Sequence, residues 1–195
     1  MLSYEESLKI LKETKALLEG HFILSSGLHS KQYIQCAKLL SHTKEAVSIC
    51  SSLSEKIRNS FNKIDIILSP AIGGIVVGYE IGRQLSLETI FAERFEGNLI
   101  LRRGFKIPNN SNVLIVEDVI TTGKSAKECS EIVKKNNSNI VGYACIIDRS
   151  DDKVLIKEKI VSQIKFKIKT YKEDEVPEDL NKINPTKPGS RNISK

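Results

Sequence analysis

The sequence predicts an α/β fold with a central, mostly parallel sheet flanked by helices. Two observations carry that expectation. Short apolar runs at residues 64–68, 113–116 and 140–147 have the composition of strands buried on both faces. Between them lie stretches of helical periodicity at 73–85 and 124–135. Strand, helix and strand repeated with short links is the pattern of a parallel sheet covered on both sides. A chain of 195 residues, 40% apolar and 28% charged, can bury one core of this kind.

Each element has its own signal. Residues 2–19 set Leu8, Leu11 and Leu18 on one helical face, with Gly20 as the stop. Residues 20–30 read as short extended pieces around a turn at Gly27. A helix runs from Thr43, as N-cap, to about Asn59, turning Val47, Cys50, Leu53 and Ile57 inward. The strand at 64–68 ends at Ser69-Pro70. A helix at 73–85 and a second strand at 89–92 follow. Glu96-Gly97 then turns into a hairpin strand at 98–102. The third strand, 113–116, leads through a Thr/Gly turn into the helix at 124–135, and 140–147 is the fourth. Ile164, Phe166 and Ile168 alternate with Lys165, Lys167 and Lys169, as in an edge strand protected by lysine. From Glu173 onward the polar, proline-bearing chain reads as a loosely held tail.

Composition excludes several classes. The sequence has no apolar run long enough to span a membrane, and its first 20 residues lack a signal peptide's apolar stretch, so a cytoplasmic location is expected. Cys36, Cys50, Cys129 and Cys145 are too scattered for a zinc or CxxC site and read as reduced core residues. His21, His29 and His42 lack ligand spacing. The formal charge of +6 suits nucleic acid or small polyanions alike.

The chemistry concentrates in Val113-Leu114-Ile115-Val116-Glu117-Asp118-Val119-Ile120-Thr121-Thr122-Gly123-Lys124-Ser125. A buried strand runs into two carboxylates and then a Thr-Thr-Gly turn that opens a helix. Ligands of open α/β sheets bind at such strand ends. Backbone N–H groups at a glycine turn and helix N-terminus suit a phosphate monoester. A Walker A loop would need glycine at position 118, where this chain has Asp, and no GxGxxG occurs. A ribose 5-phosphate fits instead. The turn holds its phosphate, Glu117 and Asp118 accept from its hydroxyls, and both acids favour positive charge developing on the sugar.

This stretch closely resembles the phosphoribosyl-pyrophosphate signature of the type I phosphoribosyltransferases. That signature does not choose the base. The segment from Gly20-His21-Phe22 through Ser26-Gly27-Leu28-His29-Ser30 to Tyr33 resembles the N-terminal hood of the orotate-using branch. Ser69-Pro70-Ala71-Ile72-Gly73-Gly74, Ala92-Glu93-Arg94, Leu101-Arg102-Arg103-Gly104-Phe105, Asp148-Arg149 and Lys187-Pro188-Gly189-Ser190-Arg191 resemble it too. The resemblance implies one domain over 1–195, with a core of about 43–150 and a hood of about 1–40 joined by C-terminal segments. It implies transfer of ribose 5-phosphate from 5-phospho-α-D-ribose 1-diphosphate to orotate in pyrimidine biosynthesis. Mg²⁺ would be held mainly by the substrate rather than by protein ligands.

The roles it implies are specific. Glu117, Asp118, Val119, Ile120, Thr121, Thr122, Gly123, Lys124 and Ser125 would hold the phosphoribosyl group. Thr121 and Arg149 would contact orotate, and a guanidinium independently suits its carboxylate. Ser26 and Tyr33 sit where the hood would cover the base. Residues 93–106 correspond to a mobile loop that shields the site. Arg94, with Arg102 and Arg103, would act as catalytic cations on the diphosphate beside the acids Glu117 and Asp118. The loop lacks a histidine, Ile72-Gly73 replaces a frequent Tyr-Lys, and no CxxC precedes the tail. In this family the loop reaches a neighbouring subunit's site, implying a homodimer. A phosphoribosyltransferase for purine or uracil is the nearest rival. A regulator of the same fold that grips nucleic acid is the rival from another class, but no nucleic-acid module is recognisable, so no nucleic-acid or membrane partner is expected.

Overall fold

A computed structural model describes residues 1–24 and 26–188. Gly189, Ser190 and Arg191 of the closing motif lie outside the described residues. The central sheet has the order β5-β4-β3-β6-β7-β8. Its strands are β3 (Ile66–Pro70), β4 (Glu88–Phe95), β5 (Asn98–Leu101), β6 (Asn112–Ile120), β7 (Asn139–Asp148) and β8 (Ile160–Lys165). All pairings are parallel except β4 with β5, the hairpin expected around Glu96-Gly97. Strand order reverses between β3 and β6, so the crevice for a ligand opens at their carboxyl ends.

Helices cover both faces. On one, α3 (Thr43–Arg58) and α4 (Gly73–Leu85) bury Ile49, Leu53, Ile57, Val77 and Ile81 against Ile67, Leu114, Val116 and Ile146. On the other, α5 (Lys124–Lys135) buries Ala126, Cys129 and Val133 against Leu68, Val113, Ile115 and Tyr143. Successive β6 residues thus serve opposite layers, as strand alternation requires. All four cysteines are free and buried. No helix among the described residues is long and apolar enough to cross a membrane.

The N-terminal reading needs correction. The helix α1 is only Tyr4–Glu13, started by Ser3 and Glu6 in a reciprocal capping box. Lys15 then turns the chain at φ 55°, and Leu17, Leu18 and Gly20 belong to β1 (Leu17–Ile23). Leu17 pairs with Ile34 and Leu18 with Tyr33 on β2 (His29–Ile34), and this cross-strand pairing overrides the helical pattern. Gly20 does not cap a helix; it lies where the strand register shifts between Glu19 and Phe22. The short helix α2 (Cys36–Leu40) leads to α3, whose N-cap is His42, so Thr43 is its first helical residue. Val47 faces outward at 41% exposure.

The third strand extends past Val116 through both acids to Ile120. The lysine-alternating edge strand begins earlier, at Ile160, and ends at Lys165, though Phe166 N–H still donates to Asp148 O. Nor is the described tail loose. After Glu173, α6 (Glu178–Asn181) buries Leu180 and Thr186 bonds the backbone of His21 and Ile23, and just before it the strand β9 (Thr170–Tyr171) pairs with β2.

One packing feature explains three glycines. Gly74, Gly78 and Gly82 recur every four residues along α4 on its sheet-facing side. A Cβ at Gly78 would lie 2.0 Å from Ser69 Oγ, and one at Gly82 would lie 1.8 Å from Thr89 Oγ1. Only glycine lets the helix backbone approach β3 and β4 this closely. Gly78→Val is expected to destabilise the fold by roughly 1–3 kcal/mol. Urea unfolding checks it; an unchanged midpoint would refute the close-packing account.

Candidate active site

The two acids occupy the last turns of pleat on β6, just before the chain leaves the sheet. Residues alternate in direction there, so Glu117 follows Val113 and Ile115 toward the α5 layer, while Asp118 follows Leu114 and Val116 toward α4. The adjacent carboxylates therefore flank the crevice instead of pointing together.

Each is held differently. Ser125, in the first turn of α5, favours the ionised form of Glu117. Burial, helped by the nearby Asp118, outweighs that influence and pushes the Glu117 carboxyl up to about 8. Burial also raises Asp118, opposed by the Val119 N–H that donates to its Oδ1 at 3.0 Å. Asp118 rests against Gly73 at the start of α4. A Cβ on Gly73 would lie 2.7 Å from Oδ1, so the missing side chain is what admits the carboxylate. Cys36 Sγ, at the start of α2, donates to Asp118 O at 3.9 Å. Val119 and Ile120 anchor this stretch in the two core layers.

The bend follows directly. Thr121, Thr122 and Lys124 are exposed, and Gly123 takes the left-handed conformation at φ 72° as the N-cap of α5. The N-cap glycine offers no side-chain cap, no acid occupies the first turn, and Lys124 N–H donates to Thr122 Oγ1 at 3.4 Å. Among the described residues, the next N–H groups and the helix dipole are open to an anion. Leu155 N–H donates to Thr122 O at 2.9 Å, bracing the bend from the loop after β7.

Arg149 is carried beside the bend by the end of β7, and its backbone N–H donates to Ile120 O at 2.8 Å. Its side chain is half-buried, its Nε is enclosed without a partner, and burial lowers its pKa. It has no carboxylate partner among the described residues. The neighbouring Asp148 is engaged instead with Lys165 Nζ, at 3.0 Å.

The three loop arginines part company. Arg94 faces the α5 side of the sheet, as Ile90 and Ala92 do, and its Nη2 meets Glu128 Oε2 at 2.8 Å. Arg103 and Arg102 turn to Glu93, the first bidentately and the second at 4.0 Å. They stack over Phe91 and Phe95 respectively. Ser26 lies exposed in the β1–β2 turn, and Tyr33 packs on Phe22. Sequence reasoning did not anticipate Gly73 as the seat of Asp118, nor Glu93 and Glu128 as partners of the arginines. Spacing along the chain carries no signal for contacts made between separate elements.

Comparison with known proteins identifies the family. A family model described as a phosphoribosyl transferase domain matches residues 37–179, and the chain belongs to that family. Within it, the chain is 46% identical to the orotate phosphoribosyltransferase of Caldicellulosiruptor saccharolyticus, over 98% of this chain and all of the relative. It is 41% identical to that of Parvibaculum lavamentivorans, over 99% of this chain and all of the relative. Among solved structures, orotate phosphoribosyltransferase from Aeropyrum pernix aligns with a TM-score of 0.69 at 23% identity, covering 81% of this chain and 92% of that one. Adenine phosphoribosyltransferase from Thermoanaerobacter pseudethanolicus shares the fold at a TM-score of 0.60 and 18% identity, covering 69% and 88%.

A carboxyl raised from 4.5 to about 8 keeps its proton in the native state while the unfolded chain ionises, so its burial costs stability progressively between those pH values. Glu117→Gln is therefore expected to raise the melting temperature at pH 8–9, with the gain shrinking toward pH 5. A few kcal/mol at this chain length corresponds to several degrees, each being about 2–4 °C. Melting curves across pH test this; a gain independent of pH would remove the burial argument.

Proposed function

We propose that the chain transfers ribose 5-phosphate from 5-phospho-α-D-ribose 1-diphosphate to orotate, giving orotidine 5′-phosphate and diphosphate. The observation that carries this reading is the acid-free start of α5 directly after two carboxylates that lie on opposite faces of the sheet. The bend receives the 5-phosphate through backbone N–H groups and the hydroxyls of Thr121, Thr122 and Ser125. Glu117 and Asp118 then reach ribose hydroxyls from two sides and stabilise positive charge as the bond from C1 to the diphosphate breaks. Hydroxyl donors favour the ionised carboxylates, so a bound sugar draws Glu117 down from its raised value.

Arg149 supports orotate as the base. A partly buried guanidinium without a counter-ion among the described residues favours an anionic partner, and orotate brings a carboxylate suited to two parallel hydrogen bonds. A neutral base offers none. Thr121, exposed beside it, adds a hydroxyl. Arg94, Arg102 and Arg103 serve the departing diphosphate, the last two exchanging Glu93 for phosphate oxygens.

No group of three potential ligand residues is assembled among the described residues, whereas Glu117 and Asp118 are oxygen donors suited to a hard cation's water shell. Mg²⁺ bound through the diphosphate would neutralise the leaving group, with these two carboxylates holding its waters. A homodimer is supported by α4, whose outward face carries Ile72, Val76 and Tyr79 at 85%, 51% and 65% exposure, opposite the glycine stripe.

Three outcomes test these assignments. Orotate consumption with the diphosphate sugar and Mg²⁺ should be robust, and Asp118→Asn should lower kcat by at least about 100-fold; near-normal turnover would refute its role. Arg149→Ala should raise the KM for orotate by roughly 10–100-fold, because a charge-assisted bidentate pair is worth about 1.5–3 kcal/mol. Val76→Lys with Tyr79→Lys should shift the mass in light scattering from dimer to monomer.

A further inference from the structure

Glu128 lies outside the phosphate-gripping bend and outside every motif that pointed to the site. It sits four residues into α5, about 6 Å along the axis from the helix's first residue. Its carboxylate is only 27% exposed and holds Arg94 Nη2 at 2.8 Å. The other arm of the same guanidinium donates to Gly97 O, at the tip of the β4–β5 hairpin. One arginine thus ties the hairpin turn to the helix that begins at the bend.

The placement is directional. Arg94 shares its face of the sheet with Glu117. Burial chiefly raises the Cys129 thiol, Glu117 and Glu128 raise it further, and Arg94 opposes them, so all three groups lie within electrostatic reach of that sulfur. Arg102 and Arg103 engage Glu93 instead. Of the three arginines, Arg94 alone is joined to the helix that carries the bend.

We propose that Glu128 is a positioning residue that aims Arg94 from α5 toward the departing diphosphate. The inference rests on the proposed transfer reaction. It goes beyond it by assigning a role to a carboxylate whose charge alone would oppose an anionic substrate. The role is testable, because a bystander and a positioning group predict different outcomes for kcat. Deleting a bystander's negative charge beside an anion site should tighten the diphosphate sugar and leave kcat unchanged. Deleting the group that orients Arg94 should lower kcat even though the site becomes more positive.

The experiment compares steady-state kinetics of the wild type, Glu128→Gln, Glu128→Asp, Arg94→Ala and the Arg94→Ala/Glu128→Gln double variant, with melting temperatures alongside. Expected are a fall in kcat of about tenfold for Glu128→Gln and an unchanged or lower KM for the diphosphate sugar. A smaller fall is expected for Glu128→Asp, which keeps the charge on a shorter arm. Glu128→Gln should cause no further fall in the Arg94→Ala background, the signature of one residue acting through another. An active wild type whose Glu128→Gln variant keeps full kcat, or loses the same factor with and without Arg94, would overturn the inference while sparing the reaction. An inactive wild type would instead overturn the reaction, and the inference with it. If Glu128→Gln melts early, the decision passes to Glu128→Asp: a normal melting temperature with wild-type kcat also overturns the inference.

Discussion

Two neighbouring acids at the end of one buried strand constrain much of the surrounding structure. A strand cannot point adjacent side chains the same way, so Glu117 and Asp118 must lie on opposite faces of the sheet. Each enters a layer of apolar packing where a charge is expensive. The surroundings show how that expense is limited. Ser125 favours the charged form of one carboxylate, the Val119 amide donates to the other, and Gly73 leaves room where any Cβ would collide with Asp118. The reversal of strand order between β3 and β6 makes this possible, because it separates the flanking loops and leaves the strand ends open.

The distribution of cations follows a related logic. Arg94, Arg102 and Arg103 have glutamate partners, whereas half-buried Arg149 has none among the described residues. Solvated pairs such as those of Arg102 and Arg103 with Glu93 are weak in water. A half-buried guanidinium with no carboxylate beside it among the described residues favours an anion. The glycine stripe of α4 packs that helix tightly on the sheet, leaving its apolar outer face available to another protein surface.

Much of the central sheet was legible from residues alone. Buried strands are short continuous apolar runs, and α4 and α5 begin and end where periodicity and breakers place them. The N-terminus was not legible, because Leu8, Leu11 and Leu18 fit a helix as well as Leu17 and Leu18 fit a strand. Only pairing with Ile34 and Tyr33 decides between them. The described tail was misread for a similar reason: its few apolar residues gain order from contact with β1 and β2, not from one another.

The sequence by itself determined the order of elements, the adjacent acids and the bend that follows them, since each is a local property of residue type and spacing. Tertiary structure alone decided that Asp118 rests on Gly73, that Arg94 is held by Glu128, and that the Arg149 side chain has no carboxylate partner among the described residues. Those contacts join residues tens of positions apart. Charge pairing depends on distance in space, and no local pattern records that distance before the sheet has assembled.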